Sequence, residues 1–298
     1  MNGWIAIVGI LLYGLFIVYV ERKVAAWIQD RQGPTETGPG GVAQTLADFL
    51  KLLRKQEAIP AYAVKSIFLF APLLAIGGVI ASLTWLPFLH PHGGGEYGLW
   101  LCITVASLEP AGLFLGGWAS GSKYSLLGAY RLLLLLLAYE LIVGLLLLTI
   151  AAHYKTLDIA YIVERQRSIW GLFQSPGLFL AGILWIGTGT MISHRAPFDL
   201  PETESELVGG ALTEYSGLRF ALFMLAEYTI MLLQAVWFAL VFLGGGWIWG
   251  APLLVMLQIL FRWSWPRWRP DQVLSLAWRK GIPLAALACV LTILYDRW

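Results

Sequence analysis

The strongest constraint on this chain is a series of eight apolar stretches, near residues 2–20, 67–88, 98–118, 129–151, 177–193, 219–242, 247–261 and 282–296, each bounded by Gly, Pro or charge. A bilayer core about 30 Å thick is crossed by about 20 apolar helical residues. Inside lipid every backbone polar group must be satisfied within the protein, which leaves helices or closed barrels. The short alternating segments of a barrel are absent here. The fold class expected is therefore an all-α polytopic membrane protein with eight transmembrane helices, forming a single membrane domain over 1–298. Composition agrees: 58% of residues are hydrophobic and 13% charged, against about 25% charged in soluble domains. A net charge of +2, scattered along the chain, argues against a nucleic-acid partner. The opening "MNGWIAIVGILLYGLFIVYVERK" lacks a basic leader and a small-residue cleavage site, so it reads as a retained first span. Cys102 and Cys289 lie far apart within expected spans and read as small buried hydrophobes.

Charge asymmetry orients the bundle. Loops 21–66, 119–131, 194–219 and 262–281 hold 16 of the 20 Lys and Arg residues. The positive-inside rule places those loops on the cytoplasmic or matrix side, with both termini opposite. Within the first loop, "VAQTLADFLKLLRK" has helical periodicity. Val42, Leu46, Phe49, Leu50 and Leu53 share one face, and Gln44, Asp48, Lys51 and Lys55 the other. Such an amphipathic helix belongs in the membrane interface.

The sequence contains no Gly-rich nucleotide loop, cysteine cluster or zinc signature. His90, His92, His153 and His194 read as interfacial or solvated imidazoles rather than haem ligands. Any redox chemistry would then need electron carriers on other chains. The segment "HRAPFDLPETESELVGG", residues 194–210, is the densest group of charges. Asp199 as N-cap, Pro201 in a first turn and Glu202 three residues after Asp199 suggest a helix start, where acids complement the dipole without any catalytic purpose. That account does not extend to Glu206, Glu214 and Glu227, nor to Glu109 in "VASLEPAGLF" and Glu140 in "LLLLLLAYELIVGL". A carboxylate within a span is costly, so it should be paired, protonated or facing a wet cavity. The functional reading of these five acids is a proton-handling path; the alternative is isolated hydrogen bonds between helices.

These blocks resemble the membrane-embedded H chain of respiratory complex I, the NADH–quinone oxidoreductase, called subunit 1 in mitochondria. The resemblance rests on "HRAPFDLPETESELVGG" and "TEYSGLRFALFMLAEY". It is joined by "ERK" and "QDRQGP", "LADFLKLL", "GGWASGSKYSLLGAYR", "AYE" and "PRWRPDQ" with "WRKGIPL", in order over nearly the whole chain. It implies an eight-helix, multi-pass subunit of a proton-translocating enzyme, in the bacterial cell inner membrane, at the junction of the membrane and hydrophilic arms. Its partners would be hydrophilic-arm quinone-site subunits and neighbouring small membrane subunits. Quinone is the implied substrate; this chain would bind no cofactor, with FMN and iron–sulfur clusters on partner subunits. The family's quinone chamber and inside-loop charges fall on Glu21, Arg22, Arg31, Asp48, Arg195, Phe198, Asp199, Glu202, Glu204, Arg262, Arg267, Arg269 and Asp271. Its proton path falls on Glu109, Glu140, Glu206, Glu214 and Glu227.

The chain also departs from the family pattern. Where many members read Ala-Glu-Thr-Asn before the arginine, this chain has "MISHR", so Ile192 replaces a glutamate; Thr35-Glu36 and Lys55-Gln56 replace Asn-Arg and Lys-Glu. Coupling would then rest on Glu109, Glu140 and Glu206, or on a neighbouring chain. Reduction of quinone would change the chamber's charge by up to two units, drawing protons to loop 194–219, whose Gly209, Gly210 and Gly217 permit movement. Two rival readings are the membrane anchor of a proton-pumping hydrogenase and a stand-alone secondary transporter. The latter usually shows related halves and broken helices, which this sequence does not.

Overall fold

The computed structural model describes residues 3–87, 89, 95–201 and 204–297, without the side chains of 3–7, 204–205 and 247–248. His90, His92, Glu202 and the Glu204 side chain lie outside the described residues. Everything described is helix or connecting turn, with no strand among the described residues. The first half comprises α1 (Gly3–Ile28), α2 (Gln44–Arg54), α3 (Lys65–Leu83), α4 (Gly98–Ala106), α5 (Leu108–Ala119), α6 (Lys123–Tyr154) and α7 (Ile159–Arg165). The second comprises α8 (Gly171–Gln174), α9 (Pro176–Ile192), α10 (Glu204–Leu207), α11 (Gly217–Phe242), α12 (Trp247–Ser264), α13 (Pro270–Leu276) and α14 (Ile282–Tyr295). A π turn at Ala277–Gly281 joins the last two.

By length and composition five helical segments are able to cross a membrane: Lys65–Leu83, Gly95–Ala119, Lys123–Tyr154, Gly217–Phe242 and Pro270–Tyr295; α9 is equally apolar but has 17 residues. The apolar stretch of Gly217–Phe242 is 89% buried, against 50% or less in the other four. A helix that is apolar on every side belongs in the interior, and α11 packs against α1, α3, α9 and α12. The surrounding helices turn apolar faces outward instead. On α6, Leu134, Leu137, Leu141 and Leu148 are exposed at helical spacing, as expected for side chains bathed in acyl chains.

Local chemistry sets some of the boundaries. At the start of α9, Ser175 Oγ accepts from the Leu178 N–H, and Pro176 follows at the first helical position. Pro72 and Pro252 are carried inside continuous helices, but one apolar run does break near a proline. The expected span 98–118 is divided at Ser107 into α4 and α5, because Pro110 has no N–H to continue the ladder. That break puts Glu109 in the first turn of α5. The first helix instead runs beyond the expected end near 20, since Glu21, Ala25 and Ala26 continue its buried face. Cys102 is buried, as expected, whereas Cys289 is half-buried; both are free thiols.

Close helix contacts depend on small residues, as is usual where lipid offers no hydrophobic drive to association. A Cβ added at Gly112 of α5 would sit 2.7 Å from Ala75 N and 2.8 Å from Ala71 O of α3. Backbone atoms cannot move aside as a flexible side chain can. Gly112→Leu is therefore expected to destabilise the α3–α5 pair by about 1–3 kcal/mol, lowering the thermal midpoint of the detergent-extracted protein. Gly77→Leu, where nothing lies within 4 Å, should leave it unchanged.

Candidate functional site

Five ionisable residues, none more than 4% exposed, lie between α1, α5, α11 and the turn that follows α9: Glu21, Glu109, His194, Arg195 and Glu227. The end of α9 explains how the turn delivers its two. Ser193 ends the helix; the His194 N–H then donates to Met191 O and the Arg195 N–H to Thr190 O, the reciprocal pair of a Schellman cap. His194 takes the left-handed conformation such a cap demands, with φ 49°. Glycine normally fills that position; a residue with a Cβ costs roughly 1–2 kcal/mol there. The cap turns both side chains into the bundle.

From there the charges pair across helices. His194 Nε2 lies 3.3 Å from Glu109 Oε2 on α5. Arg195 Nη2 lies 3.0 Å from Glu227 Oε1 on α11, and its guanidinium stacks 4.2 Å over the Tyr228 ring. Arg262 of α12 pairs with Glu21 of α1. Nearer the surface, Arg267 Nη2 reaches Asp199 Oδ2 at 2.7 Å, and Phe198 packs edge-on against Trp268. Burial draws the His194 imidazole toward its neutral form, but the adjacent Glu109 carboxylate and the charge of Glu227 outweigh burial and Arg195, so its pKa lies above the ordinary value. With His194 protonated, three carboxylates face three cations.

Cavities adjoin this cluster on either side. One, of about 390 Å³, is lined by Arg195, Arg262, Tyr228, Tyr215 and, from the loop, Val208, Gly209, Leu212 and Thr213. A smaller one, about 190 Å³, shares Phe220, Met224 and Tyr228 with it and opens between α1 and α2, where Arg22 and Asp48 pair at 2.6 Å. A third, about 350 Å³, lies between α4, α5, α6 and α9 and is lined by Glu140, Tyr139, Ile192, Ser107 and Pro110. Ser107 and Pro110 flank Glu109, so Glu140 faces the Glu109 turn across this space. Buried Tyr139 is within electrostatic reach of both acids.

The expected site residues therefore separate into groups. Glu21, Glu109, Arg195, Glu227 and Arg262 come together, with Asp199, Arg267 and Phe198 beside them. Glu206 is exposed and holds Arg131 at 2.6 Å, Glu140 is exposed where it lines its cavity, and Glu214 is half-buried in the turn before α11. Arg31, Arg269 and Asp271 are surface residues. Three readings need correction. Among the described residues Asp199 caps no helix: its carboxylate is held by Arg267. His194 is buried rather than solvated, because Glu109 supplies an ionic partner. His153 is also held, by Asp296 at 3.0 Å and Gln174 at 3.1 Å. The role of His194 is invisible in sequence, since its partner lies 85 positions away; the available signal is its place between an apolar run and an arginine.

Comparison with known proteins gives one consistent answer. The model of the NADH dehydrogenase family matches residues 1–293. The H chain of NADH-quinone oxidoreductase from Cytophaga hutchinsonii, in the form numbered 2, is 35% identical, over 97% of this chain and 96% of that protein. The corresponding H chain of the NADH-quinone oxidoreductase of Chlorobium luteolum is 38% identical over 98% of this chain and 87% of its own length. That of Rhodospirillum centenum is 38% identical over 96% and 90%.

Removing one member of a buried ion pair costs about 3–5 kcal/mol, whereas a surface pair is worth about 0–1 kcal/mol. Glu227→Ala should therefore lower the thermal midpoint sharply. Glu57→Ala, which removes the more accessible partner of Arg219 at 2.7 Å, should shift it little.

Proposed function

The chain belongs to the NADH dehydrogenase family, and from that premise we propose that it is the subunit of NADH–quinone oxidoreductase in which quinone reduction is coupled to proton translocation through buried carboxylates. The bundle crosses the membrane eight times, α1, α9 and α12 adding to the five segments named above. The α2 helix lies in the interface, with Leu46, Leu50 and Leu53, each about half exposed, turned to lipid. The loops rich in Lys and Arg lie on the cytoplasmic side of a bacterial inner membrane. Electrons arrive from FMN and iron–sulfur clusters on other subunits.

The observation that carries this reading is the enclosed Glu109–His194 and Arg195–Glu227 pairing beside a cavity lined by Arg195 and Arg262. A quinone headgroup has two carbonyl oxygens, and guanidinium groups are apt donors to them. As electrons enter the quinone, anionic charge develops on those oxygens. Arg195 and Arg262 are then shared between quinone and acid, and their neutralisation of Glu227 and Glu21 weakens. In a poorly solvated site such an imbalance costs several kcal/mol, and proton uptake by the carboxylates relieves it. Glu109 and, across its cavity, Glu140 offer the onward positions toward neighbouring membrane subunits. Glu206, Glu214, Asp199, Arg267 and the loop carboxylates Glu202 and Glu204 supply the inner approach, and Arg22, Asp48, Arg31, Arg269 and Asp271 the rim that meets partner chains.

Glu109→Gln and Glu227→Gln keep the shape of each side chain while removing its titration. In the assembled complex, each is expected to reduce proton translocation roughly tenfold or more, with NADH oxidation by the hydrophilic arm measured separately. Parent rates of translocation in both variants would overturn the proposal.

A further inference from the structure

We propose that His194 is a proton relay between Glu109 and Glu227, a titratable bridge that the paired carboxylates alone do not provide. The inference rests on the proposed coupling function and adds a residue to it. Its geometry is that of a ring committed at one nitrogen and open at the other. Nε2 faces Glu109 Oε2 at 3.3 Å, while Nδ1 is buried with no hydrogen-bond partner among the described residues. The charged groups that act on the ring come from each element around it: Glu109 from α5, Glu227 from α11 and Arg195 from its own turn.

The backbone makes a purely structural role a poor explanation. His194 occupies the left-handed position of a helix cap, with φ 49°, where Gly or Asn closes the same two hydrogen bonds with less strain. A histidine placed against that preference, buried beside Glu109 and within electrostatic reach of Glu227, brings to the site a ring that Gly or Asn would not. Imidazole can accept a proton at one nitrogen and release one from the other. In the step inferred, protonated Glu109 gives its proton to Nε2; the imidazolium releases the Nδ1 proton toward Glu227, directly or through a bridging water. Glu109 ends as a carboxylate, Glu227 as an acid and the ring neutral in its other tautomer. The reverse sequence runs with the roles exchanged. Arg195 stays paired with Glu227 until the charge in the adjoining cavity changes, which sets when the transfer occurs.

His194→Asn is the decisive variant, because Asn accepts the left-handed backbone but reaches only to the position of Nδ1 and cannot carry a proton near neutral pH, while His194→Gln reaches the position of Nε2 and can still hydrogen-bond Glu109. In the assembled complex we expect normal association with partner subunits, proton translocation lowered roughly tenfold or more, a flattened pH profile near neutrality and a larger solvent isotope effect. Translocation with the parent's rate and pH profile would overturn the relay, as would a fall in rate with the parent's pH profile and isotope effect, which marks a structural role. If His194→Asn does not assemble, His194→Gln is measured in the same way; failure of both to assemble also overturns the relay and makes the residue a structural cap. Each of those results leaves the wider coupling function standing, since that is tested by Glu109→Gln and Glu227→Gln.

Discussion

Charge inside a bilayer must find charge of the opposite sign or a proton, and the interior of this protein is organised around that requirement. Glu21, Glu109 and Glu227 enter on three separate helices, and each meets a basic partner supplied by a different part of the chain. The requirement explains features that propensity alone does not. The chain breaks an apolar run at Ser107 so that Glu109 stands at a helix start, and it accepts a left-handed histidine so that two basic side chains enter the bundle together. The most buried helix, α11, carries the buried carboxylate of Glu227 through its middle.

The same constraint links packing to chemistry. Small residues bring α3 and α5 close enough to hold the Glu109 turn rigid, while larger aromatic side chains such as Tyr215 and Tyr228 stand off and leave a cavity beside Arg195 and Arg262. Tyr215 is itself fixed, stacked 4.1 Å from Phe68 with its hydroxyl donating to Phe68 O. Tight contact on one side of the cluster and open space on the other is the arrangement in which a change of charge in the cavity alters proton positions without being absorbed by loose side chains. The ion pairs thus hold the helices together beside an open cavity.

Much of this is legible in the sequence, and the parts that are not share one cause. Apolar runs of bilayer length announce the helices, and buried Glu109 and Glu227 can be picked out because isolated acids in such runs need partners. Periodicity is a local signal, however, and partner choice is not. Asp199 has every local mark of an N-cap, yet Arg267, 68 positions away, takes its carboxylate. Glu206 and Glu140 are acids like Glu109 but are exposed, one paired with Arg131 and one lining a cavity. His194 looks solvated because it follows a span, whereas a reversal at the helix cap folds it inward. The resemblance to the H chain of complex I identifies the charged positions; which of them meet is decided by the three-dimensional fold.

The central claim is that Glu109 and Glu227, on different helices, act as parts of one proton circuit. A double-mutant cycle tests it directly, with proton translocation by the assembled complex measured for the parent, the two single Gln variants and their combination. Groups acting as a unit are strongly non-additive, so the double variant should lose about as much as the more impaired single variant. Losses in free energy that sum to within about 0.5 kcal/mol would show two independent carboxylates and contradict the account.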